Sequence, residues 1–167
     1  AIELMGFSLL EAQPLAKGLV NPFGSANAIL KSILEWTDGQ PFLTQKLCRL
    51  MVEAIQTALQ EEQKYVPMGS EAAWVESIVK SHIIDNWESQ DEPEHLRTIR
   101  DRLQTDKQKM GRILGLYQRI LDGETVKADD GPEHTELQLS GIAVKQNGVL
   151  AIRNPIYRRI FTTQWLE

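Results

Sequence analysis

The residues able to carry out metal, acid–base or nucleophilic chemistry are few and widely spaced in this 167-residue sequence. Its histidines, His82, His95 and His134, lie far apart, and Cys48 is its single cysteine. Zinc sites need Cys and His ligands at short, regular spacings, so the sequence contains no zinc motif. A lone cysteine also excludes a disulfide framework, which favours a reducing compartment such as the cytoplasm.

Adjacent carboxylates occur at two places, Asp91-Glu92 and Asp129-Asp130. We interpret both as solvated, turn-forming residues, because acid–base pairs need environments that separate their two pKa values. The phosphate-cradling pattern G-x-x-x-x-G-K-[ST] does not occur, and no glycine is followed by lysine. No nucleophile motif such as G-x-S-x-G is present either. We therefore do not expect a free-standing enzyme.

The charge of the chain is divided unevenly along its length. Residues 1–94 hold 6 Lys+Arg and 14 Asp+Glu, a balance of −8, whereas residues 95–167 hold 12 and 9, a balance of +3. With 42% hydrophobic residues the composition is that of a globular protein. No apolar run approaches the ~20 residues that a bilayer requires, so no membrane partner is expected. The unequal halves indicate two units with different partners.

Apolar periodicity and turn signals predict a mainly helical chain of two domains, 1–90 and 91–167, separated by an acidic linker at 88–94. Asn147-Gly148 between two short apolar runs predicts one β-hairpin. A strand-like start is expected at 2–4 and an acidic loop at 123–136. Helices are predicted at 8–19, 25–38, 41–62, 70–87, 93–103, 106–121, 132–140 and from 154 onward, with caps at Ser8, Ser25, Ser70, Asp106 and Asn154.

Residues 33–50 read ILEWTDGQPFLTQKLCRL, in which Gly39 and Pro41 form a G-x-P turn between two helices. A glycine can end a helix at positive φ, and a proline is favoured at the first position of the next. This segment resembles the lid-domain G-x-P region of bacterial AAA-like and STAND-type NTPases, which act as nucleotide switches. The ending at 154–161, NPIYRRIF, is similar to the ending of the AAA-like family.

The resemblance implies a helical lid bundle, residues 1–90, followed by a winged-helix domain, residues 91–167. It also implies that the family's nucleotide-binding core, with its phosphate loop and metal-holding acid, is not in this chain. No cofactor is then expected here, whereas ATP or ADP with Mg belongs to the full-length protein. The implied partners are the N-terminal nucleotide-binding core of the same protein and effector or sensor protein domains.

The same resemblance implies a nucleotide-contacting set of four residues. The family places its G-x-P proline against adenine, which assigns that role to Pro41, with Gly39 as the enabling turn and Gln40 between them. STAND proteins carry a His-Asp pair after the wing, but this chain has Arg153-Asn154 there, so Arg153 is the candidate phosphate contact. The alternatives are a plain helix–helix corner at Pro41 and a helix cap at Asn154.

Three functions remain open at this point. We favour a non-catalytic regulatory module that closes over a nucleotide core and relays its state to partner domains. A DNA-binding winged helix would insert residues 132–140 into the major groove, but that segment carries Glu133 and Glu136 and no basic residue, so we do not expect nucleic acid as a partner. A protein-interaction scaffold, anchored by Trp36, Trp87 or Trp165, is the third.

Overall fold

A computed structural model describes residues 8–22, 24–60, 70–105 and 107–162 of the chain. The chain divides into two compact units, Ala1–Asp85 and Asn86–Glu167. The sequence places this boundary slightly later, between residues 90 and 91. The predicted strand-like start at 2–4 and the predicted cap at Asp106 lie outside the described residues.

The first unit consists mainly of helices in its described ranges, with one isolated β-bridge between Asn21 and Gly24. Its helices form because apolar residues recur every three or four positions, which gives each helix one apolar face. Buried together, such side chains each stabilise the fold by about 1.5–3 kcal/mol. The helices are α1 (Gln13–Ala16), α2 (Ala26–Thr37), α3 (Pro41–Gln60) and α4 (Glu71–Val79). The fully buried side chains include Leu19, Ile29, Leu30, Ile33, Leu43, Leu47, Met51, Val75 and Val79.

The predicted cap at Ser25 is confirmed. Its Oγ accepts a hydrogen bond from the Ala28 amide at 3.2 Å. The Ser25 amide donates in turn to the buried carboxylate of Glu71, at 2.9 Å. Because Glu71 is the first residue of α4, this bond ties the start of one helix to the start of another, 46 residues later in the chain.

Two predicted helices are shorter in the structure. The helix predicted at 8–19 is reduced to α1 and a 3₁₀ turn, Lys17–Leu19, although the Glu11 amide does donate to Ser8 Oγ. The helix predicted to reach Trp87 ends at Val79 and continues as a π-helical turn, Lys80–Ile84. There the Ser81 hydroxyl donates to the Ser77 carbonyl at 2.8 Å, a bond that competes with regular helical geometry.

The second unit contains helices on both sides of one antiparallel hairpin, in the order predicted for a winged helix. The hairpin turn has φ of 52° at Asn147 and 78° at Gly148, which Asn-Gly sequences adopt easily. The fold class, mainly α with a single hairpin, is confirmed. Its elements are α5 (Trp87–Gln90), α6 (Leu96–Gln104), α7 (Lys107–Leu121), α8 (Pro132–Ser140), β1 (Ala143–Gln146), β2 (Val149–Ile152) and α9 (Pro155–Ile160).

Part of the predicted acidic loop is an extended segment beside β2. The Leu150 amide donates to the Val126 carbonyl at 2.8 Å, and the Ala128 amide donates to the Gly148 carbonyl at 2.9 Å. Val126 is buried. A three-residue pairing has no periodicity of its own, so the sequence pattern did not show it.

The predicted linker at 88–94 is instead part of the second unit. The ring of Trp87 packs edge-on against Phe161, with centroids 5.7 Å apart, and the Arg100 guanidinium lies 5.6 Å from the Trp87 ring centre. These contacts explain why the boundary precedes Trp87. In the described ranges, no helix combines the length and the apolar character needed to cross a membrane.

Candidate functional site

The G-x-P turn forms a tight corner between α2 and α3 in the first unit. Asp38 and Gly39 both have left-handed backbone conformations, with φ of 49° and 73°. The Gln40 amide donates to the Thr37 carbonyl at 3.0 Å, which closes the turn. Pro41 is the first residue of α3 and is exposed. The corner therefore has the backbone that the sequence predicts, with a proline ring open to contact.

Gln40 has a structural role that the sequence did not indicate. Its side-chain Oε1 accepts a hydrogen bond from the Leu43 amide at 2.7 Å, and its carbonyl accepts from the Thr44 amide at 2.8 Å. Gln40 thus caps α3, and its side chain satisfies the Leu43 amide at the start of that helix.

A buried pair of hydroxyl groups braces the same corner. Thr37 Oγ1 and Thr44 Oγ1 lie 2.8 Å apart, and both residues are fully buried. Thr37 Oγ1 also accepts from the Gly39 amide at 3.1 Å. Sequence reasoning missed this pair, because two threonines seven positions apart carry no recognisable motif. Their effect is to hold Gly39 and the start of α3 in one geometry.

A cavity in the same unit is lined by other residues than those of the corner between α2 and α3. It has a volume of about 540 Å³ and is bordered by α1 and the start of α2, with Pro14, Ala16, Val20 and Ala26 among its apolar lining residues. None of the predicted site residues lines it. At the corner itself, Gly39 is buried, Gln40 is partly buried and Pro41 is exposed.

Arg153, the fourth predicted site residue, belongs to the second unit and follows β2. Its amide donates to the Ile142 carbonyl at 3.0 Å, and its side chain is partly buried. The next residue, Asn154, caps α9, because its Oδ1 accepts from the Tyr157 amide at 2.9 Å. The helix-cap interpretation of Asn154 is confirmed, and the role of Arg153 stays a prediction.

The sequence prediction of a winged helix makes α8 the DNA-reading helix, but the charged side chains of α8 are the acidic Glu133 and Glu136. Glu136 pairs with Arg102 of α6 at 2.9 Å, and Glu133 lies 3.8 Å from Arg112 of α7. Leu139 on the same helix is 61% exposed. Lys and Arg supply the electrostatic attraction of proteins to DNA phosphates, and α8 contains neither residue.

The carboxylate of Asp91 is buried and accepts hydrogen bonds at the start of α6. The sequence instead predicts that Asp91 is a solvated, turn-forming residue. Asp91 accepts from the amides of Leu96 at 2.9 Å and Arg97 at 2.8 Å, and from the His95 amide at 3.1 Å. Its side chain has no exposed surface. Burial alone would raise the pKa of Asp91, but the backbone amides and the Arg97 side chain outweigh burial and lower it.

Two tyrosines join this region to the end of the chain. The Tyr157 hydroxyl lies 2.6 Å from His95 Nε2, and the Tyr117 hydroxyl donates to the Phe161 carbonyl at 2.7 Å. Burial raises the pKa of both phenols above its usual range. Both hydroxyls are hydrogen-bonded, as buried polar groups in folded proteins generally are.

No group of three or more metal-binding side chains exists among the residues that the structure covers. No family model matches the chain, and no solved structure matches it. A curated relative does: an uncharacterized WD repeat-containing protein of Synechocystis sp. is 48% identical over 167 residues. The match covers the whole of this chain and 14% of that relative. The chain is thus similar to one segment of a much longer protein, and membership of the AAA-like or STAND family stays a prediction.

Proposed function

We propose that this chain is a protein-interaction module of a longer protein that also carries WD repeats. The observation that carries the proposal is the 48% identity along the whole chain to a segment of the Synechocystis relative. WD repeats are four-stranded blades of β-propellers. The described part of this chain is helical with one hairpin, so in this proposal it forms a module separate from such a propeller.

The surface of α8 supports a protein partner over a nucleic acid. The helix carries an exposed leucine, Leu139, and two acidic side chains engaged with arginines of the same unit. Protein interfaces have apolar centres with polar rims, whereas nucleic-acid interfaces are positively charged.

The proposal is tested by separating this segment from the rest of its parent protein. With the two parts expressed as separate polypeptides, calorimetry should show association with a Kd of about 1 μM or tighter. Leu139→Arg should weaken it at least about tenfold, because a charge would enter an apolar contact. Leu59→Arg, at an exposed leucine of α3, is the matched control and should bind as the parent does. Absence of association at 100-fold higher concentrations would refute the proposal.

A second candidate function rests on the corner between α2 and α3. We propose that Gly39, Gln40 and Pro41 contact ATP or ADP, with Mg held by an N-terminal nucleotide-binding core of the same protein. Arg153, which belongs to the other unit, is a separate candidate for a phosphate contact. The left-handed Gly39 and the exposed Pro41 support this, because they leave a flat ring available to a base. The chain would then relay the nucleotide state to effector or sensor domains, in the cytoplasm, where the buried thiol of Cys48 stays reduced.

The nucleotide proposal has its own test. In the full-length protein, Pro41→Ala should speed nucleotide release about tenfold, the effect of losing about 1.4 kcal/mol of contact. Pro155→Ala is the matched control, since Pro155 is also an exposed proline at the start of a helix, and it should leave release unchanged. Equal off-rates for the parent and Pro41→Ala would remove Pro41 from the site.

Nucleic acid is the weakest alternative. Titration of the chain with labelled duplex DNA should give at most weak, salt-sensitive binding, because α8 lacks the cations that phosphates require. Submicromolar binding at physiological salt would contradict both proposals above.

A further inference from the structure

We infer, on the basis of the proposed function, that an apolar groove in the first unit is a second contact surface of this chain, in addition to the surface of α8. Its occupant is a segment of the longer protein that carries apolar side chains next to a carboxylate. The groove is the cavity of about 540 Å³ bordered by α1 and the start of α2, and we call it the α1–α2 groove. Its apolar lining residues are Pro14, Ala16, Val20 and Ala26.

Exposed apolar side chains are concentrated in the segment that carries α1. In the described ranges five large apolar side chains are exposed, and three of them, Leu9, Leu10 and Val20, belong to this segment. Leu10 is 83% exposed and Val20 is 73% exposed, and Val20 itself lines the α1–α2 groove. Single exposed leucines are common on protein surfaces, but exposed apolar residues grouped around a groove mark an interaction site.

Hydrogen bonds hold the chain between α1 and α2, so the groove is formed before a partner binds. The Asn21 side-chain amide donates to the Leu19 carbonyl at 2.8 Å, and Asn21 Oδ1 accepts from the Gly24 amide at 2.9 Å. The bond from the Ser25 amide to Glu71 fixes the start of α2, which is the other wall of the groove. A preformed surface loses little conformational entropy on binding, which favours association.

The charge at the groove indicates which segment it accepts. Among the described residues that line it, Lys17 is the only charged one, and the other polar residues, Gln13, Ser25 and Asn27, are neutral. Lys17 is exposed and forms no ion pair with another described residue. Interfaces combine an apolar centre with charges of opposite sign at the rim, so the partner should place a carboxylate near Lys17.

The longer relative indicates where such a segment is found. The match covers 14% of that protein, so most of its length lies outside the part that resembles this chain. We therefore assign the occupant of the groove to the rest of the longer protein, and a second copy of this chain is the alternative that the test separates.

The apolar part of the inference is tested by surface plasmon resonance between this chain and the rest of its parent protein, expressed separately. Val20→Arg should weaken association at least about tenfold, mainly by faster dissociation, because a charge would enter an apolar contact. Leu10→Arg is a second variant at a highly exposed position and should weaken association in the same way. Leu59→Arg, at an exposed leucine of α3 that does not line the groove, should bind as the parent does.

The charged part is tested at Lys17. Lys17→Glu should lower the association rate constant about threefold at low salt, the size expected for one exposed ion pair. The difference from the parent should disappear at about 1 M salt, where charges are screened beyond about 3 Å. Lys80→Glu is the matched control, because Lys80 is also an exposed lysine of the first unit but does not line the groove.

The possible failures of this inference differ from those of the proposed function. If the parent chain associates and both Val20→Arg and Leu10→Arg keep its affinity, the groove is not a contact surface, whereas the proposed function stands. An association rate constant that Lys17→Glu leaves unchanged at low salt would overturn the acidic character of the occupant. Self-association of this chain in sedimentation, abolished by Val20→Arg, would assign the groove to a second copy instead. Absence of association by the parent chain refutes the proposed function and this inference with it.

Discussion

Two helix starts, one in each unit, satisfy their first backbone amides in opposite ways. At the start of α3, Gln40 caps the helix locally, and Pro41 remains on the surface. At the start of α6, Asp91 collects the first amides of the helix and is itself fully buried. The first arrangement leaves Pro41 exposed, whereas the second buries a carboxylate in the core of its unit.

Residue type alone did not identify Asp91 as the carboxylate that accepts from the first amides of α6. Asp91 and its neighbour Glu92 have the same charge in the same loop, yet only Asp91 is buried. What separates them is the direction of each side chain relative to α6. Four experiments test this difference between the two helix starts, and the first has the largest expected effect.

Asp91→Ala should destabilise the second unit by about 3 kcal/mol, because it removes a cap and leaves several buried amides without an acceptor. Urea unfolding followed by NMR signals of that unit measures the loss. Glu92→Ala, at the exposed neighbour, should change stability by no more than about 0.5 kcal/mol. Similar losses in the two variants would show that burial of Asp91 does not set its importance.

The pH dependence of the stability of the second unit should reflect the lowered pKa of Asp91. Its pKa in the folded chain lies below the ordinary range of an aspartate, so its contribution to stability is present at higher pH and is lost as pH falls through the folded pKa. Stability of the second unit should therefore decline below about pH 4. Asp91→Asn, which cannot titrate, should flatten this decline, and an unchanged slope would assign the decline to other carboxylates.

Gly39→Ala should destabilise the first unit by about 1 kcal/mol, because φ of 73° is unfavourable for a residue with a Cβ. Gly115→Ala is a control for which the opposite change in stability is expected. Gly115 lies inside α7, where an added Cβ meets no atom within 4 Å, so alanine should stabilise by about 0.5–1 kcal/mol. Thermal unfolding of both variants checks the pair. Stabilisation by Gly39→Ala would contradict the left-handed corner.

The smallest stability effect is expected at Pro41. An exposed residue at the first helical position makes few contacts, so Pro41→Ala should change the free energy of unfolding by about 0.5 kcal/mol or less. Denaturant unfolding provides the measurement. A loss comparable to that of Asp91→Ala would mean that Pro41 is structural, which would remove the basis for reading it as a contact residue.

Local signals in the sequence were sufficient where a residue acts on its near neighbours. Ser25 caps a helix three residues ahead, Asn147-Gly148 turns a hairpin, and Gly39 with Pro41 ends one helix and begins another. These interactions span a few positions, so residue type and spacing describe them almost completely.

Other features depend on residues that are distant in the sequence, or on the direction in which a side chain points. The extended segment at 126–128 exists only because β2 is beside it. The start of α6 at Leu96 instead of Pro93 follows from where the Asp91 carboxylate points. The paired threonines at 37 and 44 meet only because Gly39 turns the chain between them.

The sequence by itself thus determined a mainly helical chain with one hairpin, its two-unit organisation, and a G-x-P corner, since periodicity and turn chemistry are short-range properties. Only the tertiary structure decided that Asp91 is a buried cap and that the Gln40 side chain accepts from an amide at the start of α3. Burial and hydrogen-bond direction depend on what surrounds a side chain, and those surroundings are assembled from distant parts of the chain.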